Sequence, residues 1–347
     1  MKNVIKLICT LVLVVLFFMY TPIISDGILM GINRCLNIII PSLFFMMAIS
    51  DYLTRSGVLN GMKILFRPIA KILGVNESLV PLIILSNIGG YPIGIKLVSK
   101  LCDDNIISIR QAHILSMFCF SSGPAFSISA VGICVFRNKK IGIAIFLSIL
   151  LTNLLVCMVL SRIFKLKTID ASFHSQEKYT MTDAVESALK SLFSMCAVII
   201  LFSGLCSLAE YTVLQYTPIT NDSLRGLALS LLDVTYLTNI KSVSFRIIPC
   251  VVFAISLGGA CVWLQNSRLC SKKIHLCAVF AGRVVISLFS AAIYVVIFSF
   301  SCREILADAE QNVRLIVNID NFIPSICLII MIFLLFSKKR LAFQKKV

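Results

Sequence analysis

The chain has 347 residues, 59% of them hydrophobic, with a mean hydropathy of +0.97 and a formal net charge of +16. Soluble domains do not reach that hydropathy, so the composition excludes a soluble globular protein and predicts an all-α polytopic membrane protein. The Lys and Arg residues fall in short loops and tails, where they orient a membrane protein and meet anionic headgroups; no nucleic-acid motif accompanies them.

The first element, residues 4–24, follows Lys2 and Lys6 and resembles a signal peptide, but no small-x-small cleavage site comes promptly after it. A retained first span is expected. Further spans are expected at 35–53, 78–99, 141–161, 187–210, 276–300 and 321–337. Segments 111–135 and 246–267 are apolar but interrupted by Gly, Pro and Ser, and 224–241 is apolar but short. The expectation is thus about eight transmembrane helices plus re-entrant or broken ones.

Basic stretches mark the cytoplasmic side. They comprise Arg55 to Lys71, the 162–178 linker, Arg268 to Lys273 and the tail "SKKRLAFQKKV". Segment 211–222 has no Lys or Arg, and 301–320 carries Glu304, Asp308, Glu310 and Asp320 against two Arg. Both termini are therefore expected in the cytoplasm of a multi-pass cell-membrane protein. Two conflicts remain: "RNKK" at 137–140 and "RIFKLK" at 162–167 flank a single span, and an odd number of apolar segments separates two basic regions. One segment should then be a re-entrant hairpin.

The 14 cysteines are scattered, lie mostly in apolar runs and form no CxxC pair, so neither a zinc site nor a disulfide framework is indicated. His113, His174 and His275 are far apart, and no metal or other cofactor is expected. No P-loop is present, so pumping would need an ion gradient or a partner ATPase. Ser122 lies nine residues after His113, but no nucleophile motif or positioned base accompanies it, and an enzyme is not expected.

"PSLFFMMAISDYL" from Pro41 and "KSLFSMCAVIILFSGL" from Lys190 match at an offset of 149 residues (Ser42 to Ser191). A basic stretch follows the first and precedes the second, so the two would run in opposite directions. Two inverted repeats are expected, as in many secondary transporters. The domain plan is an N-terminal helix (1–29), a first repeat (30–162), a cytoplasmic linker (163–186), a second repeat (187–300), then an external loop, last helix and basic tail (301–347).

Each repeat contains two interruptions. In "NIGGYPIGIK" (87–96), Pro92 withholds an amide, Gly89, Gly90 and Gly94 permit unusual dihedrals, and Asn87, Tyr91 and Lys96 add polar groups. Ser121, Ser122, Gly123 and Pro124 form the second interruption. Asp233, Thr235, Thr238 and Asn239 form the third, and Gly258 and Gly259, before Trp263, Gln265 and Asn266, form the fourth. Freed backbone at membrane depth must be satisfied by protein or by a wet cavity. These residues are candidates for a ligand-binding or gating site; close helix packing by Gly and Ser is the competing reading. Asn87 and Asp233 are expected to share one cavity, because either is costly in lipid.

"GGYPIGIKLVSKL" resembles the GYPxGAK signature of the YlbJ-type sporulation integral membrane proteins, within the broader nucleoside-recognition or Gate domain group. "FCFSSGPAF", "LLDVTYLTN" and "LGGACVWLQ" resemble that family's later elements, in the expected order over roughly 30–300. Ile95 replaces the usual Ala, Phe120 stands where Asn is expected, and Asp233 stands for Glu with the following Gly absent. The resemblance implies a role in endospore formation, with cortex formation the associated process, and names no substrate. The leading expectation is a transporter or permease-like gate for a small polar solute. The alternative is a non-transporting scaffold that contacts other sporulation membrane proteins. In both, the lipid bilayer is a partner.

Overall fold

The computed structural model describes residues 2–56, 58, 63–166, 179–216, 222–240 and 245–298. Among these residues the fold is all-helical. Helices α1 (Lys2–Met19) and α2 (Thr21–Arg34) meet at Tyr20, where the expected 4–24 span divides. Pro22 withholds an amide there, and the Thr21 hydroxyl donates to the Phe17 carbonyl at 2.7 Å. A π-helical turn, Cys35–Ile39, joins α2 to α3 (Ile40–Arg55), and the two are bent by 57°. The expected 35–53 span therefore straddles the bend of a pair whose limbs are Thr21–Ile39 and Leu43–Arg55. Pro41 in the first turn of α3 is the cause in sequence.

The basic stretch 63–71 is not a loop. It forms the amphipathic helix α4 (Lys63–Leu73), which Gly74 ends in a left-handed conformation. The chain then turns by 98° through a short helix, Glu77–Leu79, capped by Asn76, into α5 (Val80–Ile88). The expected 78–99 span also breaks, at Gly89–Gly90, before α6 (Tyr91–Asp103). Helix α7 (Ile109–Phe118) begins with a capping box of Ser108 and Gln111 and stops at the second interruption. Beyond it α8 (Ala125–Val135) is π-helical. Helices α9 (Lys139–Ile163) and α10 (Met181–Tyr216) are long apolar rods and contain the expected 141–161 and 187–210 spans.

The 224–241 segment splits into α11 (Asp222–Ser230) and a 3₁₀ turn, Val234–Asn239, because the Asp233 carboxylate caps the Thr235 amide at 3.0 Å. Helices α12 (Ile248–Leu257) and α13 (Ala260–Leu269) flank the fourth interruption, and α14 (Leu276–Ile293) continues as a π-helical turn to Phe298. Prolines 81, 92 and 249 sit in first helical turns, where a missing amide costs least. Among the described residues four helical stretches are long and apolar enough to cross a membrane (α9, α10, α12 with α13, and α14 with its π-helical turn), or up to six if each bent pair is one span. The expected 321–337 span, the 301–320 loop and the basic tail lie outside the described residues.

The interruptions cross in pairs. Gly123 (φ +72°) lies so close to the first break that an added Cβ would sit 2.7 Å from the Ile88 carbonyl oxygen. In the second pair, the first amides of α13, Ala260 and Cys261, donate at 2.8 Å to the carbonyls of Leu231 and Leu232. In this second pair, backbone groups freed by one break are satisfied by the other, as apolar surroundings demand. The two crossings meet at Gly258 (φ +75°), where a Cβ would sit 3.2 Å from both the Phe120 and Tyr91 rings.

Candidate functional site

Three of the interruptions, and the helix that follows the fourth, line one small cavity of about 40 Å³. Gly90, Tyr91 and Pro92 come from the first, Ser122 from the second, Asp233 and Thr235 from the third, and Gln265 from the helix after the fourth. Leu43, Phe126, Met195 and Ile199 complete an apolar wall. The space suits one or two waters, so a larger solute can enter only if the walls separate.

Three polar assemblies surround this cavity. In the first, Asp233 is fully buried, and Thr235 meets it twice, by its amide and by its hydroxyl at 2.7 Å. That hydroxyl also accepts from Arg34 Nη1 at 3.1 Å, while Arg34 and Asp233 stand 3.8 Å apart. Thr235 therefore bridges a loose buried ion pair, which is costly to dismantle from one side. The Arg34 guanidinium lies 5.5 Å from the centre of the Tyr236 ring, and the Tyr236 hydroxyl donates to Glu210, itself paired with Arg225 at 3.2 Å.

The second assembly holds the crossings together. Asn87 donates to the Ile83 carbonyl at 2.9 Å and accepts from Asn153 at 2.7 Å. Arg283, fully buried, donates through Nη1 to Asn153 Oδ1 (2.8 Å) and the Met117 carbonyl (3.0 Å). Its Nη2 reaches the Ser256 carbonyl (2.6 Å) and hydroxyl (2.7 Å). One guanidinium thus binds carbonyls at the ends of α7 and α12, both next to breaks. Its face lies 5.1 Å from the centre of Phe120, which packs between Tyr91 (5.1 Å) and Trp263 (5.0 Å). The Tyr91 hydroxyl donates to the Ile255 carbonyl at 2.5 Å.

The third lies near the ends of α3 and α6. Lys96 pairs with Asp51 at 3.0 Å and donates to Ser187 and Ser191 of α10 at 3.2 and 3.5 Å. Asp51 also pairs with Arg55 at 3.3 Å and accepts from the Tyr179 hydroxyl. Lost solvent contact, then the bond to Asp51, pushes the Tyr179 phenol up to about 12, so it remains a donor at neutral pH.

The expected grouping of Asn87 with Asp233 is corrected by this geometry. Asn87 belongs to the Arg283 network, and Lys96 to the Asp51 assembly. Gly94 packs on the Cys119 carbonyl, Gly89 caps α5, Ser121 accepts from the Gly123 amide at 3.4 Å, and Pro124 precedes α8. Gly259 packs on the backbone of Ser230 and Val234, while Asn239 ends the 3₁₀ turn away from the cavity wall. Arg34, Asp51, Asn153 and Arg283 escaped the sequence reading. Their signal was a polar residue inside an apolar helix, which marks a buried partner. Among the described residues no group of three His, Cys, Asp or Glu side chains is placed to hold a metal ion.

No family model matches the chain. No solved structure matches it either. The chain is similar to the sporulation integral membrane protein YlbJ of Bacillus subtilis (strain 168), with 28% identity over 271 residues. The aligned part is 70% of this chain and 64% of that protein, so the chain spans slightly under two thirds of its relative's length. This similarity supports assigning the chain to the YlbJ-type sporulation integral membrane proteins.

Proposed function

We propose that this chain is a cell-membrane protein of sporulation, acting in spore cortex formation as a permease-like gate for a small polar solute. The convergence of three interruptions and the helix after the fourth on one cavity supports the reading most directly. A protein that needed breaks only for tight packing would have no reason to aim Ser122, Asp233, Thr235 and Gln265 into one space. The crossings also support the two-repeat plan: each half contributes two interruptions, and within each half they cross. Inverted halves of this kind work by moving against each other around a fixed site. The sporulation role rests on the similarity to YlbJ.

The test uses Gln265, because its one side-chain hydrogen bond among the described residues is a weak one to the Cys261 sulfur at 3.2 Å, so its loss leaves the fold intact. In a sporulating host lacking the gene, growth is normal and heat-resistant spore counts fall. Gln265→Leu accumulates in the membrane at wild-type level yet fails to restore the counts. Full restoration by this variant would leave the cavity without a solute role and favour the scaffold.

A further inference from the structure

The central cavity is too small and too enclosed to exchange a solute without a way in. One stripe of α6 points to that way. Pro92, Lys96 and Lys100 are spaced four apart, so they lie on one face of the helix. Pro92 lines the central cavity. Lys96 and Lys100 line a second, larger cavity of about 210 Å³, whose wall also includes Thr54, Arg55 and the exposed Asp103. A narrow space of about 10 Å³, a neck in position, shares Pro92 with the central cavity and Asp51, Lys96 and Leu97 with the outer one, and is also walled by Ser50 and Ile93. Ser50 is 2% exposed, and its hydroxyl has no hydrogen-bond partner among the described residues. A buried unpartnered hydroxyl in a narrow neck is a place for something polar to pass.

Resting on the permease reading, we infer that the outer cavity is the portal of the central one and that the Asp51–Lys96 pair is its gate, latched by Tyr179. The pair bridges the neck at 3.0 Å. Its charges tie together three of the elements around the passage: α3 through Asp51 and Arg55, α6 through Lys96, and α10 through Ser187 and Ser191; α13 adds only the apolar Leu269. Tyr179, at the end of the linker between α9 and α10, closes the assembly by donating to Asp51 and by packing its ring 5.3 Å from the Arg55 guanidinium. Opening the neck breaks an ion pair whose members keep other partners, Arg55 for Asp51 and the two serines for Lys96. Neither charge is stranded when the gate opens, which is what a reversible gate requires. The portal faces the linker side of the molecule.

The experiment measures access to the passage at two depths. Ser50→Cys and Gln265→Cys are made separately in the full chain and purified in detergent. Modification by the charged thiol reagent MTSET is followed at each position by peptide mass spectrometry, which separates it from the native cysteines. With the gate intact both sites react slowly. Tyr179→Phe removes a single hydroxyl outside the core and raises both rates about tenfold, as expected when a minor open state gains population. Lys96→Gln does the same, and Lys96→Arg restores slow labelling. Absence of labelling at position 50 in every background overturns the portal. Rates unaffected by Tyr179→Phe and Lys96→Gln overturn the gate. A response at position 50 without one at position 265 makes the outer cavity a blind pocket and overturns the proposal. The solute reading fails separately, on restored spore counts with Gln265→Leu, and that result leaves the labelling outcome standing.

Discussion

Arg283 binds four acceptors and no carboxylate among the described residues. Its role is to satisfy backbone that the interruptions leave open. Arg283→Leu leaves the carbonyls of Met117 and Ser256 without that donor in apolar surroundings, at about 1–3 kcal/mol each. The variant melts well below wild type in detergent and accumulates less in cells. Arg283→Lys follows it most of the way, since an ammonium cannot imitate a fork that serves Met117 and Ser256 together. Thermal unfolding of the purified proteins checks both, and unchanged melting of the Leu variant would remove Arg283 from the fold's supports. Asn87→Leu belongs to the same class and lowers accumulation rather than solute handling alone. The sequence made Arg283 visible as a charge inside the apolar run 276–300, but not its partners. These lie up to 166 residues away in the chain, and no local pattern encodes such a distance.

Helix α13 starts in an unusual way. A first-turn amide normally has no intrahelical partner, and proline is welcome there. Ala260 instead donates to Leu231 across the crossing. Ala260→Pro therefore opens the crossing of the second pair, leaves the Leu231 carbonyl exposed to apolar surroundings and costs about 1–3 kcal/mol. Ile109→Pro, at the first position of α7, is the control and shifts melting little, because that amide donates to no other element among the described residues. Equal melting of the two variants would sink the argument. At this scale the interruptions were legible, because Gly and Pro punctuate a helix wherever they cluster. The bend between Ile39 and Leu43 was missed although Pro41 marks it, because a lone proline in a first helical turn does not by itself signal a bend. Helix α4 was misread as loop because Lys63, Arg67 and Lys71 recur every four residues. That spacing leaves Leu65, Ile69 and Ile72 to form an apolar face the charges concealed.

For the whole molecule, charge placement sets orientation, and both termini are expected in the cytoplasm. Reporter fusions at Val347 and within 305–312, positions outside the described residues, check it. A cytoplasmic signal from 305–312, or an external one from Val347, would reverse the orientation and remove the inverted-repeat argument. The proposed pairing of repeats rests on one faint sequence match, whereas the crossing of interruptions was not legible at all, since it depends on how four separate breaks dock.

Arg283 also bears on how the protein is made. An arginine at the centre of a helix resists entry into the bilayer by about 2.5–3.5 kcal/mol. All of its acceptors, at Met117, Asn153 and Ser256, are synthesised before it. When α14 reaches the membrane, the nascent chain has already built the receptor for its charge. Insertion of the late helix thereby becomes a check on correct folding of the early ones: a chain misassembled at the crossings offers Arg283 nothing to bind, and α14 stalls at the translocon.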